Sequence, residues 1–152
     1  MTLKYDVAGR GPTLVLVHGV VHRRQAWDAV LDRLTPHRRV ITVDLPGHGE
    51  SDPLPEDGED AIEYMVSELI AFVREVEEPG QQVHIGGNSL GGYLSLVLAA
   101  HGEVASATAL SPAGFFLGRA DQARTINTFK AIRQVARAFG DRAPAAMRYR
   151  AV

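Results

Sequence analysis

A chain of 152 residues with 45% hydrophobic and 22% charged side chains has the composition of one globular domain that can bury a core. It contains no cysteine, which excludes disulfides, thiolate metal sites and a cysteine nucleophile. The net charge of −2, the lack of a long apolar run and an N-terminus without an apolar signal core favour a cytoplasmic protein, with neither nucleic acid nor a membrane as its partner.

Five apolar segments predict the strands of one sheet. The first alternates like an outer strand, whereas the other four are near-continuous apolar runs, as in strands buried on both faces of a parallel sheet. In chain order the segments are 3–9, 13–19, 39–47, 81–89 and 105–112. Apolar residues at helical spacing predict helices near 27–34, 62–73 and 89–102. This alternation predicts an α/β fold with right-handed crossovers.

The composition changes after Pro112. Residues 120–139 carry apolar side chains on one side and basic ones on the other, which predicts an amphipathic helix. From residue 117 onward there are eight basic residues and two acidic ones. A basic segment of this kind can bind polyanions, but we interpret it as a solvated helix face.

A serine between closely spaced glycines carries the clearest chemical signal. Gly87-Asn88-Ser89-Leu90-Gly91 matches G-x-S-x-G and lies between a predicted strand and a predicted helix. A strand that turns directly into a helix strains its central residue, and only small residues fit two positions to either side. The turn presents the hydroxyl beside a helix N-terminus, where backbone N–H groups stabilise negative charge. By itself the motif predicts either a nucleophile or a glycine-rich turn with an incidental serine.

Two further segments accompany this motif. Residues 18–27, HGVVHRRQAW, place His-Gly at a strand end before a loop and a tryptophan, and residues 44–52, DLPGHGESD, place an aspartate at a strand end before a Pro- and Gly-rich turn. In this order and spacing, the three motifs resemble those of the α/β-hydrolase superfamily over residues 3–115. The resemblance implies a mostly parallel core of about six strands over 1–115, followed by the start of a basic helical lid over 116–152.

The resemblance also implies roles for single residues. Ser89 would be the catalytic nucleophile, and the backbone N–H groups of Val20 and Leu90 would form the oxyanion hole. His18 would hold its loop by packing and hydrogen bonding and would not act as a base. The residues expected to support the elbow and this loop are Gly87, Gly91, His18 and Gly19. The histidines lack metal-ligand spacing, and the sequence predicts neither a metal nor a cofactor.

The nucleophile is left without a base. In this superfamily an acid and then a histidine follow the serine along the chain. His101 is the only histidine after Ser89, and twelve helical residues at ~1.5 Å each place it roughly 18 Å away. We therefore expect the N-terminal portion of a hydrolase without its last strands, inactive by itself, with an exposed sheet edge that favours self-association.

The leading hypothesis is an esterase-like hydrolase that cleaves a small carboxylic ester through an acyl-enzyme at Ser89. The elbow GNSLGG resembles those of carboxylesterases and of hydrolases that cleave C–C bonds, but the loop after His18 lacks the extra glycines that many C–C hydrolases carry. A C–C bond hydrolase is therefore the weaker enzymatic alternative. A non-catalytic binding protein built on a truncated hydrolase core is the alternative from another class.

Overall fold

The strands of this protein form one sheet flanked by helices. The computed structural model describes residues 3–55 and 60–139. The strands are β1 Tyr5–Ala8, β2 Thr13–Val17, β3 Arg39–Val43, β4 His84–Asn88 and β5 Ser106–Leu110. The helices are α1 Asp28–Leu34, which a 3-10 helix at Arg24–Trp27 directly precedes, α2 Ala61–Val76, α3 Leu90–Ala100 and α4 Arg119–Phe139.

The sheet is mostly parallel, with the spatial order β1-β3-β2-β4-β5. Only β1 runs antiparallel to its neighbour, β3. The predicted α/β fold is confirmed, and so is the outer position of the alternating first segment. The expected count of about six strands is too high for the described ranges, which contain five. After β5 the apolar spacing becomes helical, and α4 follows there.

The strands end earlier than the apolar runs that predicted them. β2 ends at Val17 and β3 at Val43, so the next residues, His18 and Asp44, begin loops. β2, β3 and β4 are parallel neighbours, and their carboxyl ends therefore meet at one edge of the sheet. Ligands of open α/β sheets bind at this edge. The three sequence motifs emerge there together.

The core joins one face of the sheet to α2 and α3. Strand residues such as Val15, Ile41 and Ile85 are at most 1% exposed and belong to one apolar cluster. The apolar stripe of α2 buries Met65, Leu69, Phe72, Val73 and Val76 in the same cluster. Burying a side chain of this size contributes about 1.5–3 kcal/mol. Because α3 is apolar on most sides, it packs against the sheet and against α2, and its position determines where the serine lies.

The part of the chain after β4 is more exposed. β5 lies at the edge of the sheet and exposes Ser106, Thr108 and Leu110 on one face. Helix α4 falls within the segment expected to begin a lid, and residues 140–152 of that segment lie outside the described residues. Within 3–55 and 60–139, none of the helices has the length and hydropathy needed to cross a bilayer.

Candidate active site

Ser89 occupies a sharp turn between β4 and α3. Its φ of 51° and ψ of −113° lie outside the conformations that non-glycine residues usually adopt. The surrounding backbone holds this strain: the Ser89 N–H donates to the Leu110 carbonyl at 3.0 Å, and its own carbonyl accepts from the N–H groups of Tyr93 at 3.0 Å and Ala113 at 2.9 Å. Strain of this size persists where neighbours over-determine a conformation, and it is typical of functional sites.

The flanking glycines make this turn sterically feasible. A Cβ at Gly87 would lie 2.1 Å from the Gly91 carbonyl oxygen, and a Cβ at Gly91 would lie 2.2 Å from the Val17 carbonyl oxygen. Both distances are far below van der Waals contact, and the obstructing atoms belong to the backbone. The two glycines therefore allow α3 to start directly behind β4 and next to the end of β2.

The His-Gly loop after β2 lies against the serine. A Cβ built at Gly19 would be 3.1 Å from Ser89 Cβ and 3.2 Å from Asn88 Oδ1. The sequence placed these segments about 70 residues apart, and the parallel pairing of β2 with β4 brings them together. Val20, the next residue, is half-buried and packs against the core cluster.

His18 is a buried, neutral ring with both nitrogens engaged. Nε2 accepts from the Leu45 N–H at 3.1 Å, so Nδ1 carries the proton and donates to the Gly19 carbonyl at 2.8 Å. The ring is 1% exposed, and its burial lowers the pKa of His18 to about 4. With no free lone pair, the ring joins its own loop to the end of β3, and it cannot accept a proton from Ser89.

Asp44 forms the second connection between these loops. Its fully buried carboxylate accepts from the backbone N–H groups of Arg24 at 2.6 Å and Glu50 at 3.0 Å and from Arg24 Nη1 at 2.5 Å. A Cβ at Gly49 would overlap this carboxylate, at 2.1 Å from Oδ2. Through these bonds, the strand-end aspartate joins the loop after β2 to the turn after β3.

Sequence reasoning missed Arg24. Its guanidinium also donates to Asp6 and Glu50, at 2.7 Å in each case. Burial opposes the charge, but the hydrogen bonds to three carboxylates outweigh that effect and raise the pKa of Arg24. The sequence did contain a hint that Asp44 has a cationic partner, because a buried aspartate at the end of a strand requires a cation. The sequence RR at 23–24 could not indicate which arginine supplies it.

A cavity of about 220 Å³ adjoins the serine loop. Its walls come from the carboxyl ends of β2, β4 and β5 and from the loop that leads into α1; the lining residues are His18, Gly19, His22, Ala26, Trp27, Asn88 and Leu110. In the described residues, neither a histidine nor a carboxylate hydrogen-bonds to Ser89 Oγ. His101 caps α3 at its far end and is exposed. Within the same residues, no group of His, Cys, Asp or Glu side chains could hold a metal ion.

Comparison with known proteins defines the class to which this fold and site belong. The profile described as "Alpha/beta hydrolase family" matches residues 14–151, so the chain belongs to the alpha/beta hydrolase family. Among curated relatives, a pimeloyl-[acyl-carrier protein] methyl ester esterase of Vibrio vulnificus is 35% identical over 99 residues. That match covers 65% of this chain and 35% of the relative.

Solved structures agree with this assignment. A hydrolase from Pseudomonas aeruginosa superposes with a TM-score of 0.70 at 26% identity, covering 90% of this chain and 53% of that one. A thermophilic esterase from Thermogutta terrifontis gives a TM-score of 0.68 at 26% identity, covering 94% and 50%. The chain thus spans about a third of the length of the curated relative and about half of these structures.

Proposed function

We propose that this chain carries the nucleophile and the oxyanion donors of a serine hydrolase that cleaves a small carboxylic ester. The observation that supports this most is the strained Ser89 at the carboxyl edge of the sheet, with Gly19 of a second motif against it. A strained serine at a strand-to-helix turn beside a helix N-terminus supports a role in acyl transfer. Esterases among the similar proteins favour an ester as substrate.

The oxyanion donors would be the backbone N–H groups of Val20 and Leu90. Within the described ranges, neither group donates a hydrogen bond to another residue. Leu90 is the first residue of α3, and the first N–H groups of a helix have no partner within it. These two free donors belong to the residue after Ser89 and to the residue after Gly19, which lies against Ser89. They support a site for developing negative charge, where loss of one donor typically costs about 10²–10³ in rate.

The reaction would proceed in two stages. Ser89 Oγ attacks the ester carbonyl carbon and loses its proton to a base, and the carbonyl oxygen takes up the negative charge and hydrogen bonds of the two donors. Collapse of this intermediate expels the alcohol, and water then hydrolyses the acyl-enzyme. Among the described residues neither a histidine nor a carboxylate hydrogen-bonds to Ser89 Oγ, and His18 has both ring nitrogens engaged. We therefore expect slow turnover from this chain by itself.

We also propose that the segment from residue 116 onward begins a lid over the substrate. Phe115 and Phe116, just before this segment, are 70% and 36% exposed and follow the turn that holds Ser89. Exposed aromatic rings beside a nucleophile favour an apolar acyl or aromatic group in the substrate.

Two alternative functions differ from this one in what they share with it. A C–C bond hydrolase would share the nucleophile and the donors, and a non-catalytic binding protein would share only the fold.

Labelling with a fluorophosphonate probe tests the nucleophile. We expect weak labelling of this chain, strong labelling of any longer natural form, and none in Ser89→Ala; Ser67→Ala, which removes an exposed hydroxyl on α2, is the matched control and should label like the parent. Equal labelling of the parent and Ser89→Ala would contradict a nucleophilic Ser89. Labelling of the short chain at the full rate would mean that a base lies within it.

A further inference from the structure

The loop from His18 to Arg24 is attached at its two ends to two consecutive residues, Leu45 and Asp44. At its start, His18 Nε2 accepts from the Leu45 N–H; at its end, the Arg24 N–H and guanidinium donate to Asp44. Asp44 and Leu45 are consecutive and follow β3 directly. The segment that contains Gly19 and Val20 therefore spans two adjacent attachment points.

Between these points the backbone is strained. Val21 has a φ of 59°, and a β-branched residue rarely adopts a positive φ because its Cβ crowds the backbone. Only one turn hydrogen bond lies within the segment, from the His22 N–H to the Gly19 carbonyl at 3.2 Å. Such a conformation persists only if the surrounding structure holds it. The attachments at Asp44 and Leu45 hold both ends of the segment, and the packing of Val20 against the core adds to them.

Of the two attachments, the one at Arg24 involves charged groups. Its guanidinium is 12% exposed and contacts three carboxylates, of which Asp44 is fully buried and Asp6 and Glu50 are 63% and 70% exposed. A fork-shaped guanidinium can engage several oxygens at once, whereas an ammonium cannot. Without this cation the buried carboxylate would keep only two backbone donors, the N–H groups of residue 24 and of Glu50, and would hold its end of the loop less firmly.

We propose that Arg24 is a positioning residue: through Asp44 it holds the strained Val21 turn and thereby aims the Val20 N–H at the oxyanion position beside Ser89. Arg24 acts without touching substrate, since it forms no part of the cavity wall. The inference rests on the proposed function and gives a role to Arg24, a residue of the 18–27 segment to which the resemblance assigns none. A shift of about 1 Å in a catalytic donor can cost about 10²-fold in rate.

The first test measures the rate at which a fluorophosphonate probe labels Ser89 at alkaline pH, where hydroxide ion serves as the base. We expect Arg24→Ala to lower the rate about 10²-fold, millimolar guanidinium ion to restore part of it, and Arg24→Lys, which keeps a cation but loses the fork, to fall in between. Arg74→Ala is the matched control. Arg74 donates two N–H groups to Glu103, at 2.9 Å and 2.6 Å, in an exposed pair outside the loop.

The second test measures amide hydrogen exchange and needs no reaction. Arg24→Ala should speed exchange at His22 and Leu45, whose N–H groups bond within and to the loop, and leave the amides of β4 unchanged. Normal labelling of Ser89 in Arg24→Ala, absence of guanidinium rescue, or equal acceleration throughout β4 would overturn the positioning role alone. Equal labelling of the parent and Ser89→Ala would instead overturn the proposed function on which it rests.

Discussion

At the scale of single residues, the site depends on glycines, because they have no Cβ that would collide with nearby backbone. Ser89 can adopt its strained turn because Gly87 and Gly91 leave room for backbone carbonyls that a Cβ would strike at 2.1–2.2 Å. The glycine spacing in the sequence was enough to predict this need for small residues. It could not reveal that the obstructing atoms at Gly91 belong to β2, which is more than 70 residues earlier in the chain.

Gly91→Ala tests this packing. The new methyl group would meet the carbonyl oxygens of Val17 and His18 at 2.2 Å and 2.6 Å, and neither can move without shifting β2. We expect a loss of about 3 kcal/mol in the free energy of unfolding, measured by urea denaturation. Gly118→Ala, where a Cβ would meet no atom within 4 Å, is the control and should change stability little. Equal stability of the two variants would refute the steric argument.

His18 makes stability depend on pH. Its pKa in the fold is about 4, below the ordinary 6.5, so the unfolded chain binds more protons between these values. The free energy of unfolding should therefore fall by about 3 kcal/mol as the pH drops from 7 to 4, as measured by urea denaturation at each pH. His18→Gln should lack this decline, whereas His101→Gln, at an exposed helix end, should keep it. An identical decline in His18→Gln would assign it to other groups.

At the scale of secondary structure elements, α2 and β5 differ in how fully their neighbours cover them. The stripe of α2 is buried along its length, as its helical spacing predicted. β5 pairs only with β4 among the described residues, and alternate residues along it are exposed. An unpaired strand edge is a template for pairing with another chain. We therefore expect self-association to occur through the edge of β5.

Lysines on β5 test this location. Thr108→Lys and Leu110→Lys together should reduce concentration-dependent light scattering, because charges on an edge strand oppose pairing with a second strand. Ser67→Lys, which adds a positive charge on an exposed position of α2, is the control and should leave the scattering unchanged. A sharp, reversible thermal transition of the monomeric parent chain would argue against an edge that drives association.

At the scale of the whole molecule, the site exists because three parallel strands end at one edge. His18, Asp44 and Ser89 each follow a different strand, and the order β3-β2-β4 places their loops side by side. The loops are then joined by contacts between polar groups, from His18 to Leu45 and from Arg24 to Asp44. The chain spans about a third of its curated relative. Among its described residues, neither a histidine nor a carboxylate hydrogen-bonds to Ser89 Oγ.

The sequence by itself determined the fold class, all five strand segments, the position of Ser89 and the small residues around it. These features follow from local rules of hydrophobic period, strand-to-helix turns and steric room for glycine. Only the tertiary structure decided that His18 is neutral and fully hydrogen-bonded, that Arg24 rather than Arg23 neutralises Asp44, and that Val21 is strained. Those facts depend on burial and on distances between residues far apart in the chain, and a local pattern contains no information about either.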